Sequence, residues 1–218
     1  MNLFREATST DPRLAEVLAL AELIMGDDPA HGWPHVIRVS KYAEAIVIGE
    51  ELHDVNWLVL CTAIALHDVG RTKEKVLRRH HSLISAEMAE DMLAHLGFSH
   101  GFISYVKKAI LAHSYSSRAE PETIESRILS DADKLDAVGA IGIARVFYTS
   151  CSMCRGFRES VEHLKQKIIK LPNYMYFKSS KMIAVKLIEE VSTFIQWFEE
   201  QSSLLESRTV NTYRHGGS

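Results

Sequence analysis

Ala63-Ile64-Ala65-Leu66-His67-Asp68-Val69-Gly70-Arg71 is an apolar, helix-like run that ends in a histidine and an aspartate side by side. It continues the apolar segment 55–66, which is too short to span a membrane and is typical of a buried core helix. A carboxylate at the end of a buried helix is costly unless a metal ion, a cation or a hydrogen-bond network compensates it. The sequence therefore predicts that other residues converge on the His67-Asp68 doublet.

Composition and charge indicate a soluble globular protein. The chain has 218 residues, a hydrophobic fraction of 46% and a formal net charge of -3, which is enough sequence for one full hydrophobic core. This balance provides no general attraction to nucleic acid or to an anionic membrane, so we expect neither as a partner. The segment 181–205 is apolar on one face and can close the core or pair with a second copy, so a monomer and a homodimer both remain open.

The N-terminus and the cysteines favour a cytoplasmic location. Residues 1–6 lack the basic and then apolar order of a signal peptide. The three cysteines, Cys61, Cys151 and Cys154, make no even disulfide framework. Cys151 and Cys154 form a C-x-x-C pair, but the pair has neither a βαβ context nor a second pair, so a redox or zinc role is not favoured.

Apolar residues recur at helical spacing along most of the chain, and no window shows the two-residue alternation of a half-buried strand. The pattern predicts helices over residues 11–24, 31–52, 56–66, 83–96, 102–113, 121–130, 131–148 and 181–205. Residues 71–79 and 114–120 are predicted as polar loops, and 153–173 as less regular structure. We expect an all-α fold of about seven to nine helices, with one domain over 1–205 and a polar C-terminal tail over 206–218.

Four residues on three predicted helices form a mixed nitrogen and oxygen ligand set: His35 on the second helix, His67 and Asp68 at the end of the third, and Asp133 at the start of the helix predicted over 131–148. Any one histidine taken alone is more often a hydrogen-bonded core residue than a ligand. Together, two imidazoles and two carboxylates can bind Mn²⁺, Fe²⁺, Mg²⁺, Co²⁺ or Zn²⁺. The set therefore predicts a divalent metal site.

The ordered set resembles that of the HD-domain superfamily of metal-dependent phosphohydrolases. The matching residues are His35 in His31-Gly32-Trp33-Pro34-His35, the His67-Asp68 doublet, and Asp133 in Asp131-Ala132-Asp133-Lys134-Leu135-Asp136. The flanking similarity covers most of residues 20–200, and small stand-alone HD hydrolases with a long segment like 131–142 are the most similar. The resemblance implies a compact helical bundle with an additional C-terminal helix, in which His35, His67, Asp68 and Asp133 bind the metal ion.

One position departs from the family pattern, because many members have His-Asp where this chain has His31-Gly32. Two more histidines, His81 and His113, resemble residues that complete a dinuclear site in some relatives, with the doublet Asp as the bridge. In mononuclear members such positions face the substrate or are absent. One metal ion is therefore expected, and a second ion remains possible.

The resemblance implies hydrolysis of a phosphoester or phosphoanhydride bond in a small molecule, most of all a nucleotide. A divalent ion with open positions lowers the pKa of a bound water and polarises a phosphoryl oxygen. Asp68 and Arg71 are the candidate catalytic residues, with Asp68 able to orient the water. Arg38 and Lys134 are candidate ligands of the substrate phosphate, with a surface position or a salt bridge as the alternative.

Two carboxylates near Asp133 are candidate supporting groups. Asp131 and Asp136 can each orient a ligand histidine or form an ion pair with Lys134. Asp131 can also cap the predicted helix 131–148, which Asp133 opens.

Two other functions remain open. Some HD-fold relatives use two irons for oxidation, so a di-iron oxygenase is one alternative. An oxygenase needs oxygen, whereas a phosphohydrolase does not. A catalytically inactive HD-fold ligand sensor or scaffold is the other. The sequence disfavours this second alternative, because all four ligand positions are filled and a scaffold has no need of them.

Overall fold

Helices form the fold, as the sequence predicted. The computed structural model describes residues 3–114 and 119–212. Over these residues the α-helices are α1 (Leu3–Thr10), α2 (Arg13–Met25), α3 (Trp33–Gly49), α4 (Trp57–Leu66), α5 (Arg71–Leu77), α6 (His81–His95), α7 (His100–Ala112), α8 (Ile124–Asp136), α9 (Gly139–Ser152), α10 (Phe157–Gln166) and α11 (Lys178–Thr212). A 3-10 helix covers Ile168–Tyr174, and no strand occurs in the described ranges.

Helix α4 lies at the centre of the fold, as expected from its apolar sequence. Every residue from Val59 to Leu66 is buried. Helices α1, α2, α3, α7 and α8 all contact α4, and α3 also packs along α8. The additional C-terminal helix α11 packs mainly on α9 and on the 3-10 helix, away from α4.

Several predicted helix ends are confirmed. The side chain of Asn56 accepts a hydrogen bond from the Val59 backbone N–H at 3.1 Å and so caps α4. Gly97 follows α6 with a φ of +73°, and Gly26 follows α2 with a φ of +58°. Both glycines adopt the left-handed conformation that ends a helix at low cost.

The predicted loop at 71–79 was wrong, since residues 71–77 form α5. None of the α5 residues is buried, so the apolar stripe that reveals most helices is missing. The charged residues of this segment are nevertheless good helix formers, and Arg71 and Glu74 lie one turn apart with 3.8 Å between their charged groups. Arg78, with a φ of +52°, ends the helix.

The predicted helix boundary at Asp131 was also wrong, because α8 runs unbroken through it. Thr123 and Ser126 cap the start of α8 by reciprocal hydrogen bonds, and the chain turns only after Asp136. Asp133 therefore lies in the last turn of α8 and does not open the next helix. Asp131 is not a cap, since its carboxylate accepts the backbone N–H groups of Tyr176 and Phe177 at 2.9–3.0 Å.

The number of helices exceeds the prediction. Residues 153–173, expected to be less regular, contain α10 and most of the 3-10 helix. Helix α1 was not predicted, although it buries Leu3 and Ala7 against the core. Both helices are short and bury few side chains, so they leave little periodic signal in the sequence.

Two predicted segments lie partly outside the described residues. These are 115–118 of the predicted polar loop and 213–218 of the predicted tail. Helix α11 extends to Thr212, and the division into a domain and a tail stays a prediction. Within the described ranges, no helix is both long enough and apolar enough to cross a membrane.

Candidate metal centre

The four predicted ligands and the two further candidates, His81 and His113, meet in one cluster, although they come from five different helices. His35 lies on α3, His67 and Asp68 end α4, His81 begins α6, His113 follows α7, and Asp133 lies in the last turn of α8. The side chains of His35, His67, Asp68, His81 and His113 are at most 4% exposed, and that of Asp133 is 19% exposed. The centre is therefore a buried polar cluster with Asp133 at its open side.

Gly70 allows α6 to approach the doublet closely. A Cβ atom at Gly70 would lie 2.5 Å from the Ser85 backbone nitrogen and 2.7 Å from the His81 carbonyl oxygen, so no side chain fits there. The Gly70 N–H instead donates to Ser85 Oγ at 2.9 Å. This contact brings the start of α6, and with it His81, to Asp68.

A close approach also explains the departure from the family pattern at Gly32. A Cβ atom there would lie 2.5 Å from both the Asp28 nitrogen and the Gly26 oxygen. An acidic side chain is therefore sterically excluded at this position unless the 26–32 turn moves.

The first group of ligand atoms consists of His35 Nε2, His67 Nε2 and a carboxylate oxygen of Asp133. His35 Nε2 lies 3.1 Å from His67 Nε2 and 3.4 Å from Asp133 Oδ1, and it is 3.8 Å from Asp68 Oδ2. Two ligand atoms bound to one ion at about 2.1 Å lie roughly 3–4 Å apart. The spacing therefore fits His35, His67 and Asp133 as ligands of a single divalent ion, and Asp68 Oδ2 lies close to His35.

The second group lies on the other oxygen of Asp68. Asp68 Oδ1 is 3.5 Å from His81 Nε2 and 3.6 Å from His113 Nε2. All three atoms are buried and have no hydrogen-bond partner among the described residues. Buried polar atoms without a partner are costly, and a cation close to Asp68 Oδ1 would supply a partner for the two imidazole nitrogens. His67, Asp68 and His113 also lie close enough together to hold an ion.

The histidines present Nε2 to the centre because their other nitrogen is occupied. The Nδ1–H of His67 donates to the Ile64 carbonyl at 2.8 Å, and that of His113 donates to the Ile110 carbonyl at 2.6 Å. A carbonyl oxygen only accepts, so the proton lies on Nδ1 and the Nε2 lone pair is free to bind a metal. His35 Nδ1 contacts Asp136 Oδ2 at 2.7 Å, which orients this third ring in the same way.

The electrostatics keep His67, His81, Asp68 and Asp133 in their metal-binding forms. Burial lowers the pKa of His67 to about 4 and also lowers the pKa of His81. Burial would raise the pKa of Asp68, but the Arg71 charge and the neighbouring imidazoles outweigh it and hold this pKa well below its ordinary value. The pKa of Asp133 is lowered in the same way by His35, His113 and His67, against burial. Ionised carboxylates and neutral imidazoles are the forms that bind metal ions.

The predicted cationic residues have different surroundings. Arg71 Nε donates to Asp68 Oδ2, so its guanidinium lies at the edge of the metal centre. Arg38 donates from Nε and Nη2 to both oxygens of Asp136 and from Nη2 to the Pro29 carbonyl. Arg38 therefore contacts the carboxylate that orients His35, and its predicted contact with a phosphate stays a prediction.

The Lys134 ammonium is turned away from the ligands, although Asp133 precedes it. It is buried and donates to the carbonyl and hydroxyl oxygens of Ser130. It also lies 4.0 Å from Asp131 Oδ1. The structure does not bring Lys134 into contact with a predicted metal ligand within the described ranges.

Three further groups near the centre were not predicted. His31 Nδ1 lies 3.5 Å from Asp68 Oδ2, and Arg145 contacts both His31 and Asp136. Lys167, partly buried after α10, is close enough for the charges of Asp133 and Arg71 to act on it, while burial lowers its pKa. The predicted supporting role of Asp136 agrees with its contact to His35. No sequence pattern links Arg145 or Lys167 to the ligand set, since both come from later helices.

Known proteins share this fold. The family described as HD domain matches residues 32–138, a range that contains all six residues of the cluster. The uncharacterized protein YpgQ of Bacillus subtilis (strain 168) is 26% identical over 195 residues, which cover 86% of this chain and 92% of YpgQ.

Solved structures agree with the family match. A predicted HD superfamily hydrolase from an uncultured Thermotogales bacterium is 29% identical, with a TM-score of 0.62 over 89% of this chain and 97% of that one. YpgQ in complex with ADP gives a TM-score of 0.68 at 22% identity, over 92% and 97% of the two chains. A Lactobacillus plantarum protein gives 0.74 at 22% identity, over 89% and 98%. At such identities the last two structures establish the fold alone.

Proposed function

The chain is an HD-domain protein, and we propose that it is a metal-dependent phosphohydrolase that cleaves a phosphoester or phosphoanhydride bond of a small molecule, most of all a nucleotide. One observation carries this proposal. Asp68 Oδ1, His81 Nε2 and His113 Nε2 are buried without a hydrogen-bond partner among the described residues, next to a second group formed by His35, His67 and Asp133. A sensor or scaffold gains nothing from so costly an arrangement.

We propose that His35, His67, Asp68 and Asp133 hold one divalent ion. His81 and His113, together with Asp68, would hold a second. The distances of 3.5 Å and 3.6 Å from Asp68 Oδ1 to the two imidazoles support the second site. Nitrogen and oxygen ligands in this mixture suit Mn²⁺, Fe²⁺, Co²⁺ and Zn²⁺, and Mg²⁺ less well, because Mg²⁺ prefers oxygen.

Divalent ions bound in such a centre supply Lewis acidity and a water of lowered pKa for attack on phosphorus. The protein supplies the remaining parts. Asp68 stays ionised, because its pKa is held well below the ordinary value, and as a carboxylate it can accept a hydrogen bond that orients the attacking water. Arg71, fixed on Asp68, places a guanidinium where charge develops on a phosphoryl oxygen. Lys167 adds a second positive charge beside Asp133.

Two observations favour a nucleotide as the substrate. YpgQ, which has the same fold, has been crystallised in complex with ADP. The positive charges of Arg71 and Lys167 both interact with the negative charge of Asp133, the most exposed of the proposed ligands, so this part of the centre favours an anionic phosphate chain.

The test is hydrolysis of a nucleotide panel by the purified protein, with metal content measured on the same samples. We expect turnover with Mn²⁺ or Co²⁺ and more than a hundredfold lower turnover for Asp68→Asn, which keeps the side-chain shape but removes the charge. An exposed carboxylate on α6, in Asp91→Asn, is the matched control.

Three results would contradict the proposal. Metal binding without turnover of any phosphorylated compound favours a sensor, and the absence of metal binding favours a scaffold. Turnover that stops under anaerobic conditions favours a di-iron oxygenase.

A further inference from the structure

A cavity lies between the end of α7, helix α8 and the segment 173–176. Its volume is about 540 Å³, and Ser114, Glu120, Lys134, Asn173, Tyr174 and Tyr176 contribute to its lining. Ligand pockets for small molecules fall in the range of about 300–1,000 Å³. The site described above uses none of these side chains.

The cavity adjoins the metal centre through two pairs of neighbouring residues. Ser114 follows the proposed ligand His113, and Lys134 follows Asp133. Ser130, which also lines the cavity, donates from Oγ to the His113 carbonyl at 3.1 Å. The cavity wall and the proposed ligands His113 and Asp133 thus share the end of α7 and the last turns of α8.

The charge of Lys134 is only partly compensated within the described residues. Its side chain is 5% exposed, and its ammonium, which has three N–H donors, finds hydrogen-bond acceptors only on Ser130. The nearest carboxylate, Asp131, is 4.0 Å away and already accepts backbone N–H groups of Tyr176 and Phe177. The ammonium also lies 5.3 Å from the centroid of the Tyr176 ring, so its third N–H has an aromatic ring nearby but no hydrogen-bond acceptor among the described residues. A ligand with an acceptor atom can supply one.

The other walls select a neutral, planar ligand. Tyr174 and Tyr176 are 48% and 45% exposed, so their rings offer aromatic surface. The Tyr176 backbone is fixed by Asp131, and its hydroxyl donates to Glu120 at 3.4 Å. The negative charge of Glu120 balances that of Lys134, so the cavity has no net positive charge with which to hold a phosphate chain.

We propose that this cavity binds the base of a nucleotide, with Lys134 donating to a ring carbonyl or ring nitrogen and a tyrosine ring stacking on the base. The proposal rests on the proposed phosphohydrolase function, which it deepens. The phosphates lie at the metal centre near Arg71, and the base lies in the cavity. Lys134 thus serves base recognition and not phosphate binding, which differs from its predicted role.

The first experiment measures binding without catalysis. Saturation-transfer NMR with guanosine, adenosine, cytidine and uridine is performed on the metal-free protein, so its outcome does not depend on hydrolysis. We expect at least one nucleoside to bind, and Tyr176→Leu and Lys134→Met each to weaken that binding about tenfold. Tyr105→Leu is the matched control, since Tyr105 is an exposed tyrosine on α7 outside the cavity lining.

The second experiment compares a nucleoside triphosphate with inorganic tripolyphosphate, which has no base. The quantity compared is kcat/KM for the nucleotide divided by kcat/KM for tripolyphosphate. We expect Tyr176→Leu to lower this ratio about tenfold, because it raises KM for the nucleotide. Tyr105→Leu should leave the ratio unchanged. The melting temperature of each variant shows whether it has folded. Lys134→Met should also lower the ratio, and Lys134→Arg, which keeps the charge, should lower it less.

Failure of this inference differs from failure of the proposed function. If no nucleoside binds, or if the variants slow both substrates equally, the cavity does not bind the base. If nucleosides bind but neither substrate is hydrolysed, the base site stands and the hydrolase proposal fails.

Discussion

Asp136 Oδ2 contacts His35 Nδ1 at 2.7 Å, and this contact determines which nitrogen of His35 faces the metal centre. The same carboxylate accepts hydrogen bonds from Arg38 and Arg145. Asp136 is fully buried, so its charge depends on these three partners. A ligand histidine held through its second nitrogen by a carboxylate is both oriented and made more basic.

We predict that Asp136→Asn lowers metal affinity about 10–100-fold, because the amide no longer fixes the His35 ring and tautomer. Isothermal titration of the metal-free protein with Mn²⁺ measures this affinity, and Asp91→Asn serves as the exposed control. Unchanged affinity in Asp136→Asn, with a normal melting temperature, would show that His35 is oriented by its packing alone.

The adjacent histidines His80 and His81 give a matched pair for the second metal site. His81 Nε2 faces Asp68, whereas His80 caps α6 by accepting the Ser82 N–H. We predict that His81→Asn lowers the bound metal from two ions to one per chain and that His80→Asn, which keeps a capping side chain, leaves it at two. Elemental analysis after equilibrium dialysis measures both. One ion per chain in the unmodified protein would contradict the dinuclear site.

Gly70 and Gly101 provide a second matched pair. Gly70→Ala must push the start of α6 away from Asp68, because the new Cβ would meet the Ser85 nitrogen at 2.5 Å. We predict a loss of about 1–3 kcal/mol in the free energy of unfolding and weaker binding of the second ion. Gly101→Ala meets no atom within 4 Å and should raise stability by up to about 1 kcal/mol. Urea unfolding distinguishes the two, and equal effects would refute the steric argument.

The pH dependence of stability follows from the buried histidines. The pKa of His67 falls to about 4 in the folded protein, so between about pH 6.5 and pH 4 the unfolded chain binds more protons than the folded one. We predict that the metal-free protein loses stability as the pH falls through this window, with His67 alone contributing on the order of 3 kcal/mol. His81 acts in the same direction, since burial lowers its pKa.

One neighbouring histidine opposes this trend. Burial and the charge of Arg145 would lower the pKa of His35, but Asp133 and Asp136 outweigh them and raise it. The stabilisation that His35 gives the folded protein is therefore present at low pH and is lost as the pH rises. Below about pH 4 the protein loses further stability, because Asp68 and Asp133 have lowered pKa values in the folded protein and are protonated more readily in the unfolded chain. Thermal unfolding at several pH values tests the sign, and greater stability at pH 4.5 than at pH 7 would contradict it.

The ligand set was predictable because it depends on residue types in a fixed order. His35, His67, Asp68 and Asp133 were identified from the sequence, and the structure brings all four together. The central position of α4 was equally predictable, since a helix that is apolar all round must be surrounded. The start of α4 near residue 56 and the end of α6 near residue 96 were predicted from the apolar pattern, whereas the cap that the Asn56 side chain supplies was not.

Side-chain direction was not predictable in the same way. Lys134 adjoins Asp133 in sequence, yet successive residues on an α-helix point about 100° apart, so its ammonium lies on another side of α8. Arg38 lies one turn after His35 and so contacts the same carboxylate, Asp136. Arg145 and Lys167 reach the centre from α9 and from the end of α10. Only the packing of these helices brings them there.

The five helices that carry the ligands span the chain from His35 to Asp133, so a bound ion closes several long loops at once. Unfolding must then break metal–ligand bonds before any of these helices can leave the core. We expect the metal-loaded protein to unfold much more slowly than the metal-free form and to resist proteolysis in proportion. The same ions that are proposed to drive hydrolysis would then also set the lifetime of the folded enzyme.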